Sequence, residues 1–387
     1  MPAVARRATF AGLAGSLVGI GLARFAYTPL IPAVVASGWF SPAEAAFIGA
    51  ANLAGYLAGS LAARGAVRRL SLGAILRWSM LAATMSLVCC AAPVSLSWFL
   101  AWRFVGGVAG GFIMVLAAPA ILAIVPTGHR GRAGGLIFTG IGIGIAASGL
   151  LVPALLGLGL PAAWLGLGGI AAILSLASWR EWPAAPPQAP AARVRIGGPV
   201  LAIIAIYGFD AVGVVPHMIF LVDYVARGLH RGLAAGAVCW IAFGAGAIMG
   251  PGIAGFAADR IGFRPTLRWV LVANCCAVAV PLITVNPAAL WASAAVAGAF
   301  TPGIVPLALG CIHVLLPPGG EAARSAWRAA TIAWAIGQAA AAQAFSYIFA
   351  STGAYSVLFM LGTAALIAAL ILDLASAPRL RPRRHTV

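Results

Sequence analysis

Four side chains stand where water is scarce and chemistry is still available: Arg24, Arg103, Asp210 and His217 each lie inside a long apolar run. A charge at the centre of an apolar helix costs about 2.5–3.5 kcal/mol by insertion scales, so a retained one marks a site of use. Arg24 is followed one turn later on the same face by Tyr27 and Thr28. A guanidinium there presents a planar fork that suits a carboxylate. Asp210 sits at a similar depth in a later run, and His217 follows seven residues on. That is two turns along nearly the same face, about 10 Å away. A carboxylate and an imidazole aligned toward a shared cavity can pass a proton. The plainer readings are that Arg24 clamps backbone carbonyls or pairs with Asp210, and that His217 packs as a hydrogen-bonded residue. Asn52 and Tyr56 (i, i+4), Thr139 and Gln338 add polar groups that either line the same cavity or join helix to helix. Asp223 and Arg227, one turn apart, read as an ion pair at a helix end, and His313 as an interfacial residue.

These residues need elements to hold them, and the composition says which kind. The chain has 387 residues, of which 63% are hydrophobic and 8% charged, with a mean hydropathy of +1.03. A soluble domain is about half apolar and a quarter charged, so lipid must take up the excess apolar surface. A net charge of +17, carried wholly by arginine among the basic residues, points to membrane orientation and not to nucleic acid. The six cysteines all lie in apolar runs without metal-ligand spacing, so they read as small buried residues. No metal or cofactor is expected. Arg6 and Arg7 precede an apolar run with no convincing cleavage site, which reads as a first span and not a removed signal peptide.

Twelve runs reach the length of about 20 apolar residues that a spanning helix needs: about 9–36, 43–63, 71–92, 95–125, 132–156, 161–179, 197–225, 232–257, 266–285, 288–316, 325–350 and 354–375. The fold class expected is an all-α integral membrane protein. With twelve spans, Arg6, Arg7, Arg64, Arg68, Arg69, Arg77, Arg130, Arg132, Arg180, Arg193, Arg195, Arg260, Arg264, Arg268, Arg324, Arg328 and the tail Arg379, Arg381, Arg383 and Arg384 fall on one side, against Arg227 and Arg231 on the other. Both termini are therefore expected to be cytoplasmic, in an inner-membrane protein. The Pro/Ala-rich stretch 180–196 reads as an extended cytoplasmic linker between residues 1–179 and 197–387, six spans each. Six is even, so the second unit enters from the same side as the first, and the repeat is parallel with any shared site at midplane.

A repeat is also visible directly. The turn Gly255 to Arg264 has a weaker copy 196 positions earlier, from Gly59, in which Arg64 and Arg68 stand near the places of Arg260 and Arg264. Arg132 and Arg328 recur at the same interval. The spacing Gly255, Asp259, Arg260, Gly262, Arg264 resembles the signature of the major facilitator superfamily between its second and third spans and again between its eighth and ninth. The first copy departs from it, with Ala63 and Ala66 in place of the aspartate and second glycine. Arg103 with Gly106, Gly107, Gly110 and Gly111 resembles the fourth-span signature. The run Gly21 to Pro32, holding Arg24, Phe25, Tyr27, Thr28 and Pro29, is similar to the YbfB-like branch of that superfamily, as is Asn52 to Gly59. The fifth span lacks the Gly-Pro pair typical of drug antiporters. The resemblance implies twelve transmembrane helices in two parallel six-helix repeats and a coupling role for Arg103. It also implies a conformational latch at the cytoplasmic face from Asp259, Arg260, Arg264 and Arg68.

The expected function is a secondary active transporter, not an enzyme, working as a monomer by alternating access. Protons are the expected driving ion, because titratable groups are present and a sodium-type carboxylate cluster is not. The expected cargo is a small organic anion, bound by Arg24, Tyr27, Thr28, Asn52, Tyr56 and Gln338, with Asp210, His217 and Arg103 in proton coupling. The rival within the class is export of hydrophobic or cationic compounds, read by Asp210 among aromatic walls. A membrane enzyme would need paired histidines on facing helices, whereas His129, His217, His230, His313 and His385 are scattered. A receptor or scaffold would fold without accumulating cargo. The Gly140, Gly142, Gly144 run mimics a nucleotide loop, but it lies mid-span with no strand before it and reads as close helix packing.

Overall fold

The structure is a computed structural model that describes residues 1–126, 129–183, 197–316 and 321–376. Among these it holds twelve long helical rods and no strand. They are α1 (Ala3–Ala36), α2 (Pro42–Ala66), α3 (Leu72–Ala91), α4 (Leu96–Ile124), α5 (Arg130–Leu156), α6 (Leu160–Ser178), α7 (Gly198–Gly228), α8 (Gly232–Ile261), α9 (Phe263–Ile283), α10 (Pro287–Leu315), α11 (Glu321–Thr352) and α12 (Tyr355–Ser376). All but α11 are long and apolar enough to cross a membrane. The chain is a multi-pass membrane protein. Helix α11 has the length but carries Arg328, Gln338 and Gln343, which lower its hydropathy. Starts are set by local chemistry. Ser41 and Glu44 form a capping box at α2, Ser71 and Ser95 cap α3 and α4, and Asn286 caps α10. Of the expected linker 180–196, residues 180–183 are described and Trp182 is buried, while the part with Pro186, Pro187 and Pro190, like the tail with Arg379 to Arg384, lies outside the described residues.

Packing is paired. Helix α2 packs most closely on α4, and α8 on α10; α3 lies on α4, and α9 on α10; α1 crosses α5, and α7 crosses α11. Between the first six helices and the last six, α5 meets α8 and α2 meets α11. Glycines set the close approaches. A Cβ at Gly55, Gly59 or Gly107 would strike the backbone carbonyl of Phe104, Val108 or Asn52. The same contacts recur 191 residues on, where Gly246, Gly250 and Gly298 face Ala295, Ala299 and Phe243. The contact register is thus 191, not the 196 read from the charged turns. Helix α8 begins 190 residues after α2 and ends 195 after it, so the turn that follows lies beyond the contact register. Gly140 and Gly144 approach the backbone of α1 at Leu13 and Gly21, and Gly142 that of α8, so this run is a packing seam.

Two helices contain π turns. In α1, Leu17–Phe25 is π-helical, and in α7 so are Pro216–Phe220 and Tyr224–Gly228. The nearby prolines, Pro29 and Pro216, lack an N–H and clash with the carbonyl four residues back, which wider turns relieve. The later portions of α1 and α7, 27–36 and 216–223, touch each other near the arginine-poor connections 37–41 and 229–231. The bundle is closed at that end.

Candidate functional site

Arg24 stands in the π-helical part of α1 and is 8% exposed. Its Nη2 donates to Gln338 Oε1 of α11. The guanidinium carbon lies 4.9 Å from the Phe25 ring centre, 5.1 Å from Tyr56 of α2 and 5.9 Å from Trp334 of α11. No carboxylate pairs with it among the described residues. One bond to a charged donor contributes about 1.5–3 kcal/mol, and each aromatic face about 0.5–2 kcal/mol. Together these roughly offset the insertion cost of about 3 kcal/mol. The arginine is therefore tolerated without a counter-ion, and its charge is uncancelled. Its Nε is buried without a partner.

The carbonyls freed by the π turn are met from α4. Arg103, 1% exposed, donates to Ala23 O through Nη1 and to Arg24 O through Nη2, and lies 4.8 Å over the Tyr27 ring. Pro29 accounts for the second of these, because its missing N–H is the one that a π turn would direct at Arg24 O. Arg103 is thus a backbone clamp, the plainer of the readings open to a buried arginine. Asn52 was expected at a cavity wall and is instead 1% exposed, donating to Arg103 O at 3.0 Å and Ala23 O at 3.5 Å. It joins α1, α2 and α4.

Just past Arg24 the two sets of helices are tied together. Thr28 Oγ1 donates to Met218 O of α7 at 2.7 Å, and Gln338 Nε2 lies 3.2 Å from Met218 Sδ. Arg24, Gln338, Met218 and Thr28 form a bracket across α1, α7 and α11. Tyr27 turns toward the first six helices, donating to Ala45 O at 2.9 Å. A pocket of about 20 Å³ is lined by Arg24, Phe25, Tyr27, Thr28 and Met218 among others. That is room for one water, not for an organic solute.

Asp210 and His217 bond neither this bracket nor each other. Asp210, fully buried, accepts from Asn274 Nδ2 of α9 at 3.0 Å, and its Oδ2 has no partner. His217 Nε2 lies 2.7 Å from Ser293 Oγ of α10, whose hydroxyl donates to Ala277 O of α9 at 2.7 Å. Ser293 therefore accepts, and His217 is the Nε2–H tautomer. Phe359 of α12 meets its ring edge-on. The relay expected between Asp210 and His217 is not formed here: Asp210 bonds Asn274 and His217 bonds Ser293, so the two groups fasten α7 to α9 and α10. Nor does Asp210 pair with Arg24.

At the arginine-rich end, the expected latch is differently built. Asp259 and Arg260 are exposed, with Arg260 stacked 4.0 Å over Phe256, and Arg68 is exposed after α2. Gly262, at φ 91°, turns the chain as only glycine does readily, and places Arg264 in the first turn of α9. There Arg264 Nε meets Asp373 Oδ1 of α12 at 3.0 Å and Arg268 Nε meets Asp373 Oδ2 at 2.7 Å. Asp373, fully buried, is the carboxylate of this cluster. It joins α9 to α12, not one set of six helices to the other. Asp223 pairs with Arg227 as expected, but is 2% exposed and also accepts from Tyr355 at 2.5 Å. Thr139 bonds only its own turn at Gly135 O, and His313 is exposed at the end of α10. Asn274, Ser293, Trp334 and Asp373 were not singled out from sequence. Asp373 alone carried a signal, as an acidic residue inside an apolar run.

Residues 16–374 match the model of a family described as the uncharacterised MFS-type transporter YbfB. The chain belongs to that family. The match spans from the end of the first α-helical turns of α1 almost to the end of α12, and so takes in Arg24, Arg103, Asp210 and Asp373. No curated protein matches the chain. By family it is a major facilitator-type transporter.

Proposed function

We propose that this protein is a proton-coupled secondary transporter that moves a small organic anion across the cytoplasmic membrane. Two parallel six-helix units, 1–179 and 197–387, rock about the bracket at Arg24, with α11 as the twelfth span and both termini cytoplasmic. The recurrence of the same glycine contacts at 191 residues, and of the same helix pairs six helices on, supports that repeat. The arginine distribution supports the orientation. The protein acts as a monomer.

The observation that carries the cargo reading is the uncancelled charge of Arg24. A buried guanidinium held by an amide and three aromatic rings can exchange Gln338 for a carboxylate that offers a bidentate partner. Gln338 and Tyr56 flank that position, while Thr28 closes it from the arginine-poor end through Met218. Asp210 is the proton site. It is a fully buried carboxylate with an open oxygen, joined to α9 by Asn274, so that its protonation state bears on how α7 sits. The export of cationic compounds needs an acidic residue facing the cavity, and Asp210 faces α9 instead. A thermal-stability screen of organic acids and lipophilic cations on purified protein tests the reading. Acids raise the melting temperature of the wild type and not of Arg24→Ala. Stabilisation by cations alone would refute it.

A further inference from the structure

The stripe of α11 that leads to Arg24 is aromatic. Trp327, Thr331, Trp334 and Gln338 recur at intervals of four, three and four residues and so share one face. Tyr207 of α7 is stacked between two of them, 6.1 Å and 30° from Trp327 and 5.9 Å and 25° from Trp334. Trp334 is also the ring that meets the guanidinium, and its Nε1–H is buried with no acceptor. Trp327, Thr331 and Trp334 are half-buried, whereas Gln338 is 1% exposed. The stripe thus runs from half-buried rings near the arginine-rich end to the buried Gln338 beside the charge.

Packing alone would be served by aliphatic side chains, as it is along most of the bundle. Three flat rings leading to an unpaired cation offer something else: a face for a planar π system, with a fork for its charge. We infer that the cargo is an aromatic carboxylate. Its carboxylate takes the Arg24 fork in place of Gln338, its ring takes the place of Tyr207 against Trp334, and the free Nε1–H meets a carbonyl or hydroxyl substituent. This rests on the anion reading of Arg24 and narrows it.

Calorimetric titration of the purified full-length protein with benzoate and with cyclohexanecarboxylate tests the inference, because the two share carbon number and charge and differ in the ring. Benzoate should bind the wild type about tenfold more tightly. Trp334→Leu should remove about that factor for benzoate and leave cyclohexanecarboxylate within about twofold, which also shows that the variant is folded. If Trp334→Leu binds neither acid, Trp334→Phe must restore the preference, and its failure to do so overturns the inference. Equal affinity of the two acids in the wild type, or equal loss of both in Trp334→Leu, refutes the aromatic assignment and leaves the anion reading standing. A wild type that binds neither acid refutes both.

Discussion

Helices α1 and α7 occupy equivalent places six helices apart, and both are broken by π turns beside prolines, yet they treat a buried charge in opposite ways. In α1 the π turn sends Arg24 toward the other set of helices, where amide and aromatic groups receive it without cancelling it. In α7 the π turn sends His217 inward to Ser293, and Asp210 is held by Asn274 within its own set. The comparison separates two tasks that a sequence reading merges. An uncancelled charge stands at the junction of the two sets of helices, and a buried titratable group is held inside one set.

The first substitution that would break the comparison has the largest expected effect. Arg24→Ala removes the junction charge and should weaken organic-acid binding by about a hundredfold or more, with folding retained because an insertion cost goes with it. Calorimetry on the folded variant reads this directly. Next comes the cluster at Asp373. Asp373→Ala leaves two guanidiniums without their carboxylate and should cost about 2 kcal/mol or more of stability, read as a lowered melting temperature. Asp259→Ala, in the turn that carries the family signature, should stay within about 0.5 kcal/mol of wild type. A reversal of that order would return the cluster's role to the turn.

Asp210→Asn sharpens the other side of the comparison. Acid affinity should change by no more than about threefold, since Asp210 bonds Asn274 and shares no hydrogen-bond partner with Arg24. Uptake into proteoliposomes should instead stop responding to an imposed pH gradient. Loss of acid binding in this variant would place Asp210 in the cargo site. The smallest effect is expected for Thr28→Val, which removes one bond across the bracket, worth about 1 kcal/mol. Cysteines placed in the connection 37–41 should then label about fivefold faster from outside, because the closed end opens more often.

How far this was legible in sequence depended on whether the signal was local. The helices were, because apolar run length is a local property, and the observed boundaries mostly fall within a few residues of those expected. Helix α8, running to Ile261, exceeds its apolar run because the charged turn begins inside the helix. Arg24 was legible because a charge in lipid is conspicuous. Its partners were not, since Gln338 lies 314 residues away and helical period does not say which neighbour a face will meet. The π turns were likewise hidden. Proline marks that α geometry will fail, but not that the chain will widen into π turns or that His217 will bond Ser293. The repeat interval was misread for a related reason: charged turns are easier to see than the glycines that set the contact register.

The most direct test of the central claim is counterflow of labelled benzoate in proteoliposomes holding wild-type protein or Arg24→Ala. The account predicts transient accumulation of label by the wild type against unlabelled benzoate, and none by Arg24→Ala. Counterflow by Arg24→Ala at the wild-type rate would contradict it.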